Sequence, residues 1–359
     1  MSGDPWAELP VPAVNGHTHL YSGLVPLGMP PAEPAPADFL AILKQVWWRL
    51  DRALDAESIA ASARYYVANA LLLGTTGLID HHESPECLEG SLDLLADPCQ
   101  ELGMPAVLCF GATERNGGPE EGRRGLAECR RFIESNRRPL VRGVVGLHAS
   151  FTASDETLRA AGALARELAT VVHVHVAEDR ADVEDAVARG YRSPLHRLLA
   201  CDALPAGSIL AHGVHMSPEE VAVCNDRGFW LVHNPRSNEG NGVGWAGALT
   251  HGDRVALGTD GWESNLLDEV AAGQRLGAES GEGDGAAFSG RLDQGAALLS
   301  ERFGSAGAPQ VTRSEGSLTI GERLVVVDGQ LATGDLDAIR ADAERSALAL
   351  WKRMAGTAC

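Results

Sequence analysis

Residues 14–20 read Val14-Asn15-Gly16-His17-Thr18-His19-Leu20, a short apolar run with two histidines two positions apart. Side chains alternate between the two faces of a β-strand, so His17 and His19 point the same way. Two neighbouring imidazoles can bind one divalent metal ion. The pattern also occurs in ordinary strands, so its meaning depends on what later strands contribute. The stretch therefore predicts a strand that carries part of a metal site.

Composition and charge narrow the class of protein. The chain has 359 residues, of which 45% are hydrophobic and 22% charged, as in globular proteins. This length fits two average domains or one large α/β barrel. The net charge of −19 argues against nucleic acid and anionic membranes as partners.

Cysteine usage and hydropathy indicate the compartment. The seven cysteines are an odd number and form no C-x-x-C pair, which favours a reduced compartment. The N-terminus lacks a basic start followed by an apolar core, and no apolar stretch reaches 18 residues. We therefore expect a cytoplasmic protein without a signal peptide or a transmembrane helix.

Beyond residue 74, short apolar runs alternate with amphipathic helical stretches. The runs cover residues 77–80, 105–110, 141–147, 170–176, 208–212, 229–232 and 254–258. The helical stretches cover residues 88–102, 122–136, 154–168, 182–200 and 217–227. With the first strand, at about 12–20, this makes eight strands. Continuous apolar runs suit a parallel sheet buried on both faces. The pattern predicts an α/β fold, a closed (β/α)₈ TIM-type barrel.

The last part of the chain reads differently. We expect residues 1–315 to form the barrel, and 316–359 to add a short strand over 318–328 and a helix over 335–354 that packs on it. Residues 279–290 are rich in glycine and polar residues, which predicts a surface loop.

The predicted strands end in residues that carry chemistry. In a (β/α)₈ barrel, polar residues at the C-terminal strand ends face the active site. The residues concerned are His17, His19, His82, Glu83, His148, His175, Glu178, His212, Asn238 and Asp260. His173 lies one layer deeper than His175, and we expect it to be a hydrogen-bonded core histidine.

Seven short motifs carry a family resemblance. They are VNGHTHLYS at 14–22, GTT at 74–76, DHH at 80–82, HVAE at 175–178, LAH at 210–212, HNPRSN at 233–238 and LGTDG at 257–261. In this order they resemble the amidohydrolase superfamily, and within it the Atz/Trz-like aminohydrolases and chlorohydrolases, most of all the SsnA-like aminohydrolase group.

The resemblance implies a role for each site residue. One divalent metal ion, Zn²⁺ or alternatively Fe²⁺, would be bound by His17, His19, His175 and Asp260. Glu178 would shuttle protons to the substrate ring, and Asp260 would also take a proton from the attacking water. His212 would orient that water or stabilise the oxygen of the tetrahedral intermediate. Three imidazoles and a carboxylate suit either metal.

The lysine count bears on the number of ions. Binuclear members of the superfamily usually bridge two metals through a carboxylated lysine at a central strand end. The chain has only Lys44 and Lys352, neither near a predicted strand end. We therefore predict one metal ion per chain.

Substrate contacts are less clear from the sequence. His82 or Glu83, His148, Asn238 and Trp48 are candidates. The alternatives are that Trp48 packs within its helix, and that Asn238 only shapes the loop after the seventh strand.

The resemblance implies a metal-dependent aminohydrolase that hydrolyses a C–N bond at the amidine carbon of a purine-, pterin- or triazine-like heterocycle. A cyclic amide hydrolase, a chlorohydrolase and a non-catalytic metal- or ligand-binding protein remain alternatives. The expected partners are a small heterocyclic substrate and a second copy in a homodimer. Many relatives build a β-sandwich from about fifty residues before the first strand. Only about ten residues stand there in this sequence, so we expect the sandwich to be vestigial or absent.

Overall fold

A ring of parallel strands forms the centre of the computed structural model, which describes residues 6–281, 286–304 and 307–357. The ring has eight positions, and its third and fourth positions each consist of two short strands. In chain order the strands are β1 (Val14–Thr18), β2 (Gly77–Asp80), β3 (Ala106–Leu108), β4 (Gly111–Ala112), β5 (Val141–Gly143), β6 (Val145–Ala149), β7 (Val172–Val176), β8 (Ile209–His212), β9 (Trp230–His233) and β10 (Val255–Leu257).

Backbone hydrogen bonds close this ring. The strands pair as β1-β2-β3-β5 and as β10-β9-β8-β7-β6-β4, and the third and fourth positions each run from one sheet into the other. On the opposite side, Thr259 N donates to His17 O at 2.9 Å and His19 N donates to Asp260 O at 3.2 Å. A parallel bridge also joins Thr18 to Asp260. The predicted (β/α)₈ barrel is confirmed.

Helices surround the barrel. They are α1 (Phe39–Ile42), α2 (Trp48–Ala53), α3 (Ala56–Leu72), α4 (Ser91–Leu102), α5 (Pro119–Ser135), α6 (Asp155–Glu167), α7 (Arg180–Ala188), α8 (Pro194–Ala200), α9 (Pro218–Arg227), α10 (Pro235–Gly240), α11 (Leu266–Glu279), α12 (Ala286–Phe303) and α13 (Leu336–Gly356). A π-helical turn, Leu43–Trp47, links α1 to α2. None of the described helices is both long and apolar enough to cross a bilayer.

The single helix predicted over 182–200 is wrong. The structure has α7 and α8 there, separated at Gly190, whose φ is +87°. The Ser193 side chain caps the second helix by accepting from His196 N at 3.1 Å, and Pro194 takes the first helical position. Glycine tolerates this left-handed backbone, and a Ser-Pro pair is a common helix start, so the local sequence divides the helix.

A four-stranded antiparallel sheet follows the barrel, where we predicted one strand. Its strands are β11 (Val311–Ser314), β12 (Ser317–Ile320), β13 (Arg323–Val327) and β14 (Gln330–Leu331). Asp328 and Gly329 turn the chain between β13 and β14 with φ of +50° and +74°. An Asp-Gly pair is a strong hairpin signal that the prediction overlooked. β11 and β12 pair across the predicted 315/316 boundary, and the division into two domains stays a prediction.

The segment predicted as a surface loop, 279–290, overlaps two helices. α11 ends at Glu279 and α12 begins at Ala286, while residues 282–285 lie outside the described residues. Further along α12, Leu298, Leu299 and Phe303 are buried in a cluster with strand residues such as Val14 and Ile79. This helix therefore contributes to the core that holds the barrel together.

We predict that Gly146→Ala destabilises the barrel. A Cβ at residue 146, in β6, would overlap the backbone carbonyl group of Phe110. Because that group belongs to the backbone, it cannot move away as a flexible side chain could. Overpacking of this kind costs about 1–3 kcal/mol or more. Urea unfolding should show a lower midpoint with little change in slope. As a matched control, Gly290→Ala adds a Cβ in α12 with no atom within 4 Å, and it should leave stability equal or raise it by up to about 1 kcal/mol. An equal midpoint for both variants would contradict this packing argument.

Candidate metal centre and active site

Four predicted ligands meet at the C-terminal end of the barrel. His17 lies in β1 and His19 follows it, His175 lies in β7, and Asp260 follows β10. Asp260 Oδ1 is 3.2 Å from His17 Nε2 and 2.9 Å from His19 Nε2. His175 Nε2 is 3.4 Å from His19 Nε2. One ligand atom from each of the four residues lies within 4.8 Å of the others, so the group could hold a metal ion.

The second ring nitrogens fix the orientation of these imidazoles. His19 Nδ1 donates to the His81 carbonyl at 2.5 Å, and His175 Nδ1 donates to the His148 carbonyl at 2.7 Å. Because a carbonyl only accepts, the protons lie on Nδ1 and the lone pairs on Nε2. Two such lone pairs facing each other at 3.4 Å repel unless a positive charge lies between them. Such outer bonds are typical of metal-binding histidines, and the donor set fits a divalent ion.

The charge states agree with this reading. Burial lowers the pKa of His17 to about 3, so its ring is neutral. Burial would also lower the pKa of His19, but the hydrogen bond and charge of Asp260 raise it to about 9. Asp260 is buried too, yet its bonds to the two histidines hold its pKa well below the ordinary value. The cluster thus takes up one positive charge, which a proton supplies when no metal does.

His173 contributes from the layer below. Its Nε2 lies 2.9 Å from His17 Nδ1, inside the fully buried interior. The expectation of a hydrogen-bonded core histidine is confirmed. Ser237 has a similar orienting effect, since its hydroxyl donates to Asp260 Oδ2 at 2.5 Å. Ser237 lies within the HNPRSN motif, but nothing in that motif indicates that its hydroxyl contacts Asp260.

Glu178 and His212 lie beside the ligand cluster. His212 Nε2 is 3.8 Å from Asp260 Oδ1, and His212 Nδ1 is 3.7 Å from Glu178 Oε1. Burial, and after it the charge of Asp260, raise the pKa of Glu178 well above its ordinary value. Burial lowers the pKa of His212, so its ring is neutral. The structure thus brings a neutral imidazole next to a carboxyl group whose surroundings favour its protonated form.

Three backbone conformations at these strand ends are unusual. Ala177, His212 and Asp260 have φ of +50°, +74° and +53°. Residues with a Cβ rarely adopt this left-handed region, and such positions cluster at functional sites. One of these bends lies at Ala177, immediately before Glu178, and the other two lie at His212 and Asp260 themselves. The backbone therefore sets the direction in which the Glu178, His212 and Asp260 side chains leave the strand ends.

A pocket opens onto the cluster, and its empty space, including the part open to solvent, amounts to about 620 Å³. Among the predicted substrate contacts, Trp48, Glu83 and His148 line it. His82 and Asn238 are not among its lining residues. His82 is buried, with Nε2 2.8 Å from Ser84 Oγ, and Asn238 Oδ1 accepts from His212 Nδ1 at 2.9 Å. We therefore do not keep these two as substrate contacts.

One buried ion-pair group was missed. Arg115, in the loop after β4, contacts Asp51 of α2 and donates to Glu83 Oε2 at 2.8 Å. Its guanidinium lies 5.1 Å from the centre of the Trp48 ring. Arg115 and Asp51 stand in polar segments without a motif, so only their packing reveals the group.

The Amidohydrolase family profile matches residues 13–287, more than half of the chain. This chain belongs to the amidohydrolase family. The predicted superfamily is therefore confirmed, and the relatives below fit its Atz/Trz-like branch.

Two curated relatives of this amidohydrolase are deaminases. It is 30% identical over 233 residues to a 5'-deoxyadenosine deaminase of Methanoregula boonei, with 62% of this chain and 50% of the relative covered. It is 29% identical over 259 residues to a 5-methylthioadenosine/S-adenosylhomocysteine deaminase of Thermoanaerobacter pseudethanolicus, with 70% and 57% covered. The chain thus spans between half and three fifths of the length of these relatives.

Two solved structures share the fold. An adenosine deaminase from Xanthomonas campestris with bound zinc superposes with a TM-score of 0.77 at 21% identity, covering 96% of this chain and 85% of the other. The atrazine chlorohydrolase TrzN from Arthrobacter aurescens TC1, complexed with zinc, gives 0.74 at 18% identity, covering 94% and 88%. At these identities the likeness establishes the barrel fold.

We predict that His19→Ala abolishes stoichiometric metal binding. The variant loses a ligand, so its affinity should fall by more than the ~10–100-fold that loss of an outer hydrogen-bond partner costs. Elemental analysis of purified protein after dialysis should find one divalent ion per wild-type chain and far less in the variant. His251→Ala, at an exposed histidine, is the matched control and should keep the ion. Full occupancy in His19→Ala would contradict the assignment, and two tight ions per wild-type chain would contradict a single-ion site.

Proposed function

We propose that this amidohydrolase is a metal-dependent aminohydrolase that removes an amino group from the amidine carbon of a purine-, pterin- or triazine-like heterocycle. The observation that carries the proposal is the convergence of three imidazoles and one carboxylate within 4.8 Å, next to Glu178, a partly buried carboxyl group whose pKa lies well above its ordinary value. Metal ligands and a proton donor are the two requirements for attack of water on a C=N carbon.

His17, His19, His175 and Asp260 would hold one Zn²⁺ ion. Nitrogen and carboxylate ligands suit zinc, and two structures of the same fold contain it. When bound, the ion would supply a water nucleophile at neutral pH by lowering the pKa of that water. A single ion fits the positions of the lysines, because Lys44 lies in the π-helical turn and Lys352 in α13.

Glu178 would deliver the proton that the ring nitrogen needs. Burial, and after it the charge of Asp260, raise the pKa of Glu178 well above its ordinary value, which favours the protonated form that donates to the ring nitrogen as the C=N bond opens. After this transfer the Glu178 carboxylate can take up the proton that Asp260 accepted from water and pass it to the amino group, and it regains a proton from the added hydroxyl as the C=O bond forms. The amino group then leaves as ammonia.

His212 and Asp260 would position the attacking water. The 2.9 Å bond to Asn238 Oδ1 makes His212 Nδ1 a donor, which leaves Nε2 as an acceptor that has no hydrogen-bond partner among the described residues. An acceptor orients a water O–H, so this tautomer favours water positioning over stabilisation of an oxyanion. Asp260, ionised and adjacent, would accept the proton that the water releases.

The deaminase relatives bear on the identity of the leaving group. The curated relatives named above are deaminases, and this supports release of ammonia or an amine. Cyclic amide opening or chloride release would use the same side chains. A substrate panel scored separately for ammonia, carboxylate and chloride would distinguish the three reactions.

We predict that Glu178→Gln keeps the fold and the metal but loses about 10³-fold in kcat, because the amide cannot donate and take back the proton. Ammonia release from the best heterocycle of the panel is the measurement. The matched control is Glu184→Gln, which removes the same charge from an exposed position in α7 and should retain activity. Near-normal turnover in Glu178→Gln would overturn this role. Metal-loaded wild-type protein that is inert towards every heterocycle would overturn the proposed function.

A further inference from the structure

A second carboxylate lines the pocket, and the mechanism above does not use it. Glu83 follows β2, the second position of the ring, whereas Glu178 follows β7, the fifth. Glu178 is grouped with His212 and Asp260, and Glu83 is grouped with His81 and His175, with ligand atoms within 4.8 Å in each group. The two carboxyl groups therefore reach the pocket from different sides.

Only one oxygen of Glu83 is bonded. Oε2 accepts from Arg115 at 2.8 Å, and Arg115 also contacts Asp51. The permanent positive charge of the guanidinium favours the ionised form of the carboxyl group. Oε1 has no hydrogen-bond partner among the described residues, although the side chain is only 4% exposed. A buried carboxylate oxygen without a donor is costly, so this position calls for a donor from outside the chain.

The neighbours of Oε1 do not supply that donor. His81 Nδ1 lies 3.5 Å away, longer than an ordinary hydrogen bond, and the other ring nitrogen, Nε2, is 2.9 Å from the Leu147 carbonyl, which can only accept. His148 Nε2 lies 3.7 Å away, beyond hydrogen-bond length. His81 Nδ1 is likewise without a hydrogen-bond partner in the described part of the chain. Glu83 Oε1 and His81 Nδ1 thus lie side by side, and neither has a hydrogen-bond partner among the described residues.

The apolar residues that line the pocket together with Glu83 suit a flat ring. Phe39, Trp48 and Phe151 line the same pocket and offer apolar or aromatic surface. A planar heterocycle held between such surfaces can turn only in its own plane, so a polar contact at its edge decides which atoms face the metal cluster. Glu83 is placed to make that contact.

We propose that Glu83 binds the substrate edge and selects heterocycles that carry an N–H donor there. Its Oε1 accepts from an amino group or a ring N–H on the side of the substrate away from Glu178. Rings that present only acceptors at this edge bind weakly, because they leave the carboxylate oxygen unpaired. This inference rests on the proposed deamination and narrows its substrate class to amino- or lactam-bearing rings.

The test compares rings that differ in one donor. 2,6-Diaminopurine is paired with 2-methyl-6-aminopurine, and 2,4,6-triamino-1,3,5-triazine with 2-methyl-4,6-diamino-1,3,5-triazine, since a methyl group replaces the amino group at similar size. Wild-type holoenzyme should favour the amino member of at least one pair by about 10–100-fold in kcat/KM, as expected for a hydrogen bond to a charged group. In Glu83→Gln, which keeps an acceptor oxygen but loses the charge, this ratio should fall, and in Glu83→Leu, which has no acceptor, it should collapse towards one.

A matched variant and a second readout keep the test decisive. Glu86→Gln removes the same charge from an exposed position three residues on and should keep the wild-type ratio. Calorimetric binding of each pair to metal-loaded Glu178→Gln protein, which we expect to turn over very slowly, should show the same preference. Equal affinity and equal kcat/KM for both members of both pairs in the wild type would overturn the inference, even if Glu83→Gln failed to fold. Absence of ammonia release together with a clear binding preference would instead count against the proposed function and leave Glu83 as a donor-selecting contact.

Discussion

Backbone hydrogen bonds tie the end of β1 to the residues after β10. Thr259 N and Asp260 N donate to His17 O at 2.9 and 3.0 Å, and His19 N donates to Asp260 O at 3.2 Å. These bonds join residues some 240 positions apart in the chain, and they place the Asp260 carboxylate against both histidines. The ligand cluster therefore exists only when the barrel is closed. The same bonds hold the backbone of Asp260 in the left-handed region. This conformation is unfavourable for a residue with a Cβ, and the surrounding strands stabilise it.

Closure also has an electrostatic consequence. In their neutral forms, His19 and His175 present Nε2 lone pairs to one point, with His17 and a carboxylate beside them, and this arrangement is unfavourable without a cation. The hydrogen bonds that His19 and His175 donate to the His81 and His148 carbonyls hold these two rings in this arrangement. Free energy released by metal binding would thus offset a cost already present in the folded chain, which links metal affinity to the stability of the barrel.

The sequence predicts this arrangement where its signals are local or follow strand order. The two-residue spacing of His17 and His19 places both on one face of β1, and the apolar runs locate the other strands. Because parallel strands end at one edge of the barrel, the residues after each strand could be grouped without any contact information. The tautomers, the role of Ser237 and the distance of His82 from the pocket depend on side-chain packing, which no periodic pattern encodes.

The break between α7 and α8 and the turn between β13 and β14 were not predicted, and both have the same physical origin. Gly190 and the Asp328-Gly329 pair are single-residue backbone signals within otherwise regular stretches, so a reading based on periodicity passed over them.

The buried charged group beside the pocket is harder to predict from the sequence than the metal ligands are. Arg115, Asp51 and Glu83 come from three separate segments, and their charges are compatible with burial only as a group. Removing any one of them from water alone would cost several kcal/mol, so no single position signals its role. Arg115 also lies beneath the Trp48 ring, which makes the aromatic surface of the pocket depend on the same ion pairs. The metal cluster follows from the closure of the strands, whereas the shape and polarity of the substrate pocket follow from this buried group. Variation in the loop after β4 or in α2 can therefore alter which ring is accepted without moving a metal ligand.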